Sequence, residues 1–229
     1  MIVLALDTTT RAGSVAVVAN GEVRWQGTGD PRLTHGERLP GELMTALQGA
    51  AVDLASVDLF AVAAGPGSFT GLRVGIAAMQ GLAMATGRRI VPVSTLEALA
   101  LAAAPSPSGL IAAWMDAQRG QVFAALYRSA SLEPIEPPSA TTPAETLESW
   151  SSHDLADAVF IGDGAVRYAE IIRETRPEAP RIFEPPPLAP IVGHLAARAP
   201  ERAVNPHAVI PIYVRRPDAE LARLARGKA

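Results

Sequence analysis

Residues 2–26, IVLALDTTTRAGSVAVVANGEVRWQ, set the fold, because residues 110–127, LIAAWMDAQRGQVFAALY, repeat their order. Ile2–Leu6 is a continuous apolar run with a β-branched pair, the pattern of a strand buried on both faces. Asp7 and three threonines follow, with Arg11-Ala12-Gly13 as a turn and Ser14–Val18 as a second strand. Asn20-Gly21 is a two-residue hairpin signal that returns the chain through Glu22–Gln26. This predicts a three-stranded antiparallel meander. In the second stretch a strand again ends in an aspartate, Asp116, with a turn at Arg119-Gly120 and a returning strand over Gln121–Tyr127.

The elements after each meander also repeat. A helix is predicted over Leu39–Gln48, with Pro40 in its first turn. Val57–Ala64 reads as a buried strand that enters Gly65-Pro66-Gly67-Ser68-Phe69-Thr70-Gly71 and a helix ended by Gly87. A strand over Ile90–Val93 and a helix over Thr95–Ala104 complete the half. Later, Ala158–Ile161 enters Gly162-Asp163-Gly164 and a helix over 165–175. Two βββαβα halves, each with an aspartate after its first strand, predict an α/β protein. The class is the two-lobed actin/hexokinase/Hsp70-like (ASKHA) architecture, built of two RNase H-like halves. The expected division is 1–104 and 105–229. Residues 129–157 read as a variable insertion, 176–211 as Pro-rich chain with one helix near 190–198, and the tail from Asp218 as a basic amphipathic helix.

Composition narrows the function. Lys+Arg 20 against Asp+Glu 23 leaves a net charge of −3, unlike a chain that grips nucleic acid through a basic face. The absence of cysteine excludes disulfides, thiolate zinc and a Cys nucleophile. With neither a leader pattern nor a membrane-length apolar run, the chain reads as cytoplasmic.

Candidate chemistry gathers in two turns. Asp7, Thr8 and Thr9, with Gly65, Gly67 and Ser68, could meet a phosphate at a strand end and a helix N-terminus. The competing reading is structural: an Asx turn at Asp7 and a tight strand-to-helix turn capped by Ser68 or Thr70. The glycine loop is neither a P-loop nor a dinucleotide fingerprint. His35 has Leu39 where a second helical metal ligand would stand, so no metal site is expected.

The motifs Asp7-Thr8-Thr9, His35-x-x-x-Leu39-Pro40, Gly65–Arg73 (GPGSFTGLR), Val93–Leu96, Asp116–Phe123 and Pro211-x-Tyr213-x-Arg215 occur in order. Together they resemble the TsaB (YeaZ) family. The resemblance implies an accessory, non-catalytic scaffold subunit for transfer of threonylcarbamoyl to adenosine 37 of tRNAs reading ANN codons. It implies pairing with the catalytic paralogue TsaD, addition of the ATPase TsaE, and a homodimer as another assembly. ATP/ADP and metal then belong to the partner complex, this chain requires no cofactor, and tRNA is met only through the complex. The alternative is a small-molecule kinase or phosphotransferase of the same fold class. A metallopeptidase is a third reading.

The helix after the glycine loop is apolar nearly all round and must be buried on two sides. Gly71, Gly75, Ala78 and Leu82 are expected to face its own sheet. The partner interface is expected to comprise Leu39, Leu43 and Leu47 of the preceding helix with Leu72, Ile76, Met79, Gln80, Ala83 and Met84.

Overall fold

A computed structural model describes residues 1–104, 109–176 and 181–215. The first half contains β1 (Ile2–Asp7), β2 (Ser14–Ala19), β3 (Glu22–Thr28), α1 (His35–Gly49), β4 (Leu59–Gly65), α2 (Phe69–Thr86), β5 (Ile90–Ser94) and α3 (Thr95–Ala103). The second contains β6 (Leu110–Asp116), β7 (Val122–Arg128), β8 (Pro134–Thr141), α4 (Pro143–Ser149), β9 (Val159–Ile161), α5 (Asp163–Arg167), α6 (Ala169–Thr175), β10 (Arg181–Phe183) and α7 (Ala189–Arg198).

The first sheet has the order β3-β2-β1-β4-β5 and the second β10-β9-β6-β7-β8, the same arrangement read in reverse. In each, the meander is antiparallel and the strands added after it are parallel. Both faces of the central strands are covered. Val3 and Ala5 of β1 enter a core shared by the two sheets, while Leu4 and Leu6 enter the core beneath α1 and α2. Strand β6 divides likewise, Ile111 and Ala113 inward and Ala112 and Trp114 outward. Burial on both faces is why these strands read as unbroken apolar runs rather than alternations.

Helices α3 and α7 lie in the shared core. α7 packs on β1, β2 and β4, so residues 189–198, from the second half of the sequence, rest on the first sheet. A Cβ at Gly193 would meet Val18 Cγ2 at 2.7 Å and Ala5 Cβ at 3.2 Å, a contact that requires glycine. The chain then bridges Val204 to Ile90, and the Ile212 N–H donates to the Ala64 carbonyl at 2.7 Å. Among the described residues, no helix is long and apolar enough to cross a membrane.

Several expectations need correction. The stretch 129–157 is no insertion: it supplies β8 and α4, the counterparts of β3 and α1. Three prolines disguised β8, and they are tolerated because it is an edge strand. α1 begins at His35, four residues before the expected start. Thr34 and Glu37 form a capping box there, with the Thr34 N–H donating to Glu37 Oε2 at 2.8 Å. Pro40 therefore lies inside the helix, not in its first turn. The helix expected over 165–175 is divided at Tyr168 into α5 and α6, and β10 was not anticipated. The helix predicted from Asp218 lies outside the described residues.

Candidate functional site

The turn after β1 is built by hydrogen bonds within the chain. The Asp7 carboxylate Oδ1 accepts the Thr9 N–H at 2.8 Å and the Thr9 hydroxyl at 2.6 Å, an Asx turn. The Thr8 hydroxyl donates to the Gly71 carbonyl at 2.8 Å, and the Ser68 N–H donates to the Thr9 carbonyl at 2.8 Å. Ser68 caps α2 by accepting the Gly71 N–H at 3.2 Å. Asp7, Thr8, Thr9, Gly67 and Ser68 thus meet at one junction, as the phosphate reading required, but Asp7, Thr9 and Ser68 bond among themselves and Thr8 bonds Gly71.

The glycines explain the closeness. A Cβ on Gly67 would lie 2.5 Å from Thr9 Cβ, and one on Gly71 or Gly75 would overlap the Thr8 carbonyl or the Thr8 hydroxyl. Gly65 is covered from the other side, where a Cβ would lie 2.6 Å from the Ile212 carbonyl oxygen. The threonine side chains and the C-terminal segment fill the space beside this loop. Burial raises the Asp7 carboxyl above the usual carboxylate range, against the two Thr9 hydrogen bonds that lower it.

Arg38 ties the turn to α1. Its guanidinium donates to the Arg11 and Ala12 carbonyls at 2.8 and 2.6 Å and to Glu42 at 2.6 and 2.7 Å. Although charged, Arg38 is buried. His35 stands between these groups: its Nδ1 lies 2.8 Å from Arg38 Nη2 and its Nε2 lies 3.0 Å from the Thr10 carbonyl. Arg38 can only donate and the carbonyl only accept, so the ring is neutral with its proton on Nε2. Burial and then Arg38 lower the His35 pKa accordingly.

The second half repeats the device. Asp116 accepts the Gln118 N–H at 2.9 Å and the Gln118 amide at 2.9 Å. Asp163 accepts the N–H groups of Asp116 and Gly164 at 3.0 and 2.9 Å.

A second feature is an apolar groove between α1 and α2, a cavity of about 340 Å³. Leu39, Leu43, Met44 and Leu47 line it from α1, and Val74, Ala78 and Leu82 from α2. This corrects the facing of α2. Leu72, Ile76, Met79 and Ala83 are buried, and the last three belong to the core against the first sheet. The Gln80 amide donates to the Pro206 and Val209 carbonyls at 2.8 and 3.1 Å. Of the α2 residues expected at the interface, Met84 alone stands in solvent, 67% exposed, and it does not line the groove. The α1 leucines line the groove as well as the core.

Two mirrored sheets, each with an Asx turn after its first strand, and two helices packed between them define the two-lobed actin/hexokinase-like class. Within it, the family model of TsaD, tRNA N6-adenosine threonylcarbamoyltransferase, matches residues 32–222. The tRNA threonylcarbamoyladenosine biosynthesis protein TsaB of Bacillus subtilis is 30% identical over 225 residues, 96% of each chain. An uncharacterised Mycobacterium leprae protein is 30% identical over 227 residues, and the chain spans 56% of its length. The solved structure of YeaZ from Pseudomonas aeruginosa is 30% identical, with a TM-score of 0.78 over 93% of this chain and 99% of that one. The chain belongs to the TsaB (YeaZ) family.

Proposed function

We propose that this chain is a non-catalytic subunit in threonylcarbamoyladenosine formation at adenosine 37 of tRNAs reading ANN codons. It pairs with a TsaD-like catalytic paralogue, a TsaE-like ATPase joins the pair, and tRNA is met through the complex. The observation that carries this reading is the groove between α1 and α2. Its lining is apolar, and Met44 stands 54% exposed on its rim. Such a strip suits the helices of a paralogue with the same two elements, which would complete a helical bundle.

The junction after β1 supports a scaffold rather than the phosphotransferase alternative. Thr8 against Gly71 and Gly75 of α2, and Thr9 against Gly67 of the preceding loop, occupy the space that a phosphate would need. This chain then requires no nucleotide or metal of its own. A peptidase reading finds little support at His35, whose two ring nitrogens both face protein partners.

The test mixes the chain with a TsaD-like paralogue and measures mass by light scattering. Met44→Glu and Ala78→Arg should fold as wild type and lose the heterodimer, since an unpaired charge covered at an interface costs several kcal/mol. Wild-type pairing by both variants would place the interface elsewhere. Failure of pairing with the paralogue but concentration-dependent self-association would make a second copy of this chain the occupant.

A further inference from the structure

Two of the sequence motifs, far apart in the chain, meet on the surface. Phe69 and Arg73 belong to the glycine-loop motif, and Tyr213 belongs to Pro211-x-Tyr213-x-Arg215. The Arg73 guanidinium carbon lies 3.8 Å from the Phe69 ring centre, and Arg73 Nε donates to the Tyr213 hydroxyl at 3.0 Å, across 140 residues of sequence. The Phe69 and Tyr213 rings lie 5.5 Å apart, tilted by 32°. Both rings stay partly exposed: Phe69 remains 42% and Tyr213 39% exposed. A contact whose sole role was to fasten the C-terminal segment to α2 would gain more by burying these rings.

Charge indicates the occupant. Two residues beyond Tyr213, Arg215 is held by the Gln121 side chain at 2.9 Å and lies 5.9 Å from the Phe123 ring centre. Among the described residues, neither Arg73 nor Arg215 has a carboxylate within ion-pair distance. Part-exposed aromatic rings beside guanidinium groups that have no carboxylate partner among the described residues match a ligand with a flat π-surface and a negative backbone. An acidic peptide would use the charges and leave the rings idle.

We propose that Phe69, Arg73 and Tyr213 form a stacking platform for an unpaired base of an RNA strand, with Arg215 contributing positive charge beside it. The proposal rests on the reading of this chain as a subunit for tRNA modification and assigns it a direct contact with the RNA. With a net charge of −3, the contact by the isolated chain is weak and adds to what the assembled complex provides.

The experiment titrates the full chain into a fluorescein-labelled short oligoadenylate, with anisotropy as the readout, at about 50 mM KCl to retain the electrostatic contribution. Saturable binding is expected with Kd about 10–100 µM. Phe69→Ala and Tyr213→Ala should each weaken it about tenfold, whereas Phe69→Trp keeps it. Arg73→Gln should weaken it and reduce the salt slope by about one. Circular dichroism on each variant establishes that these surface changes leave the fold intact. Absence of saturable binding by wild type would overturn the proposal. So would unchanged binding by a folded Phe69→Ala, or binding of an oligoglutamate in preference to the RNA. Light scattering of Phe69→Ala with the TsaD-like paralogue separates the two readings. Intact pairing without wild-type RNA binding refutes the platform alone, and RNA binding without pairing refutes the proposed assembly alone.

Discussion

Substituting Gly75 tests the packing of the first junction through a change of sign. Every nearest atom to a Cβ added there belongs to the Thr8 side chain: Oγ1 overlaps it, Cγ2 lies at 3.0 Å and Cβ at 3.1 Å. Gly75→Ala gains about 1 kcal/mol from helix propensity. It also displaces the Thr8 hydroxyl from its 2.8 Å bond to the Gly71 carbonyl, a loss of about 1 kcal/mol. Overpacking adds about 1–3 kcal/mol. The net expectation is destabilisation by about 1–3 kcal/mol. Thr8→Ala removes both the hydroxyl and the methyl that obstruct the new Cβ, leaving one contact at 3.1 Å that a shift of a few tenths of an ångström relieves. In that background Gly75→Ala should be neutral or stabilising by up to about 1 kcal/mol. The coupling between the sites, the difference of these two effects, is then about 1–4 kcal/mol. Urea unfolding of wild type, both single variants and the double variant, with equal m-values, measures it directly. Strict additivity would refute the account of the glycines as clearance for Thr8.

Three more outcomes are expected from the same geometry. Asp7→Asn keeps an oxygen to accept both Thr9 bonds while removing a buried charge, so it should raise stability at pH 7. The folded-state pKa of Asp7 is raised, so the native chain binds more protons than the unfolded one. Relative to the variant, wild type should lose stability as pH rises from about 4, and parallel slopes in urea melts would refute this. His35 has its pKa lowered on folding, so its contribution is lost as pH falls below about 6.5. His35→Gln should remove that part of the acid sensitivity, measured as thermal midpoints between about pH 7.5 and 5.5. Ala83→Arg, at a fully buried position, should cost about 3–5 kcal/mol. A wild-type thermal midpoint for Ala83→Arg would contradict the facing of α2.

The facing of α2 shows where local reading stops. Its ends were legible: Ser68 caps one and Gly87, at φ +67°, closes the other, because caps depend on a few adjacent residues. Its orientation was not legible, because a helix apolar nearly all round carries no directional signal. The sheet took Ile76, Met79 and Ala83, leaving Val74, Ala78 and Leu82 to the groove. The capping boxes Thr34-x-x-Glu37 and Thr142-x-x-Glu145 were readable signals that would have placed the starts of α1 and α4. Arg38 escaped because its partners, the Arg11 and Ala12 carbonyls, lie more than 25 residues away. Only in the folded chain can their bonds offset the cost of burying the guanidinium.

The sequence by itself determined the order of elements in the first half and the opening of the second: Asn20-Gly21 sets a hairpin, apolar runs set strands covered on both faces, and an aspartate after each first strand sets an Asx turn. These are short-range choices, made by backbone sterics and by hydrogen bonds between near neighbours. Tertiary structure alone decided that α7 lies on the first sheet, that Thr8 fills the clearance of Gly71 and Gly75, and that Tyr213 reaches Arg73 across 140 residues. Each of these depends on which apolar surfaces win burial once all compete for the same two sheets, and no local stretch of sequence contains that competition.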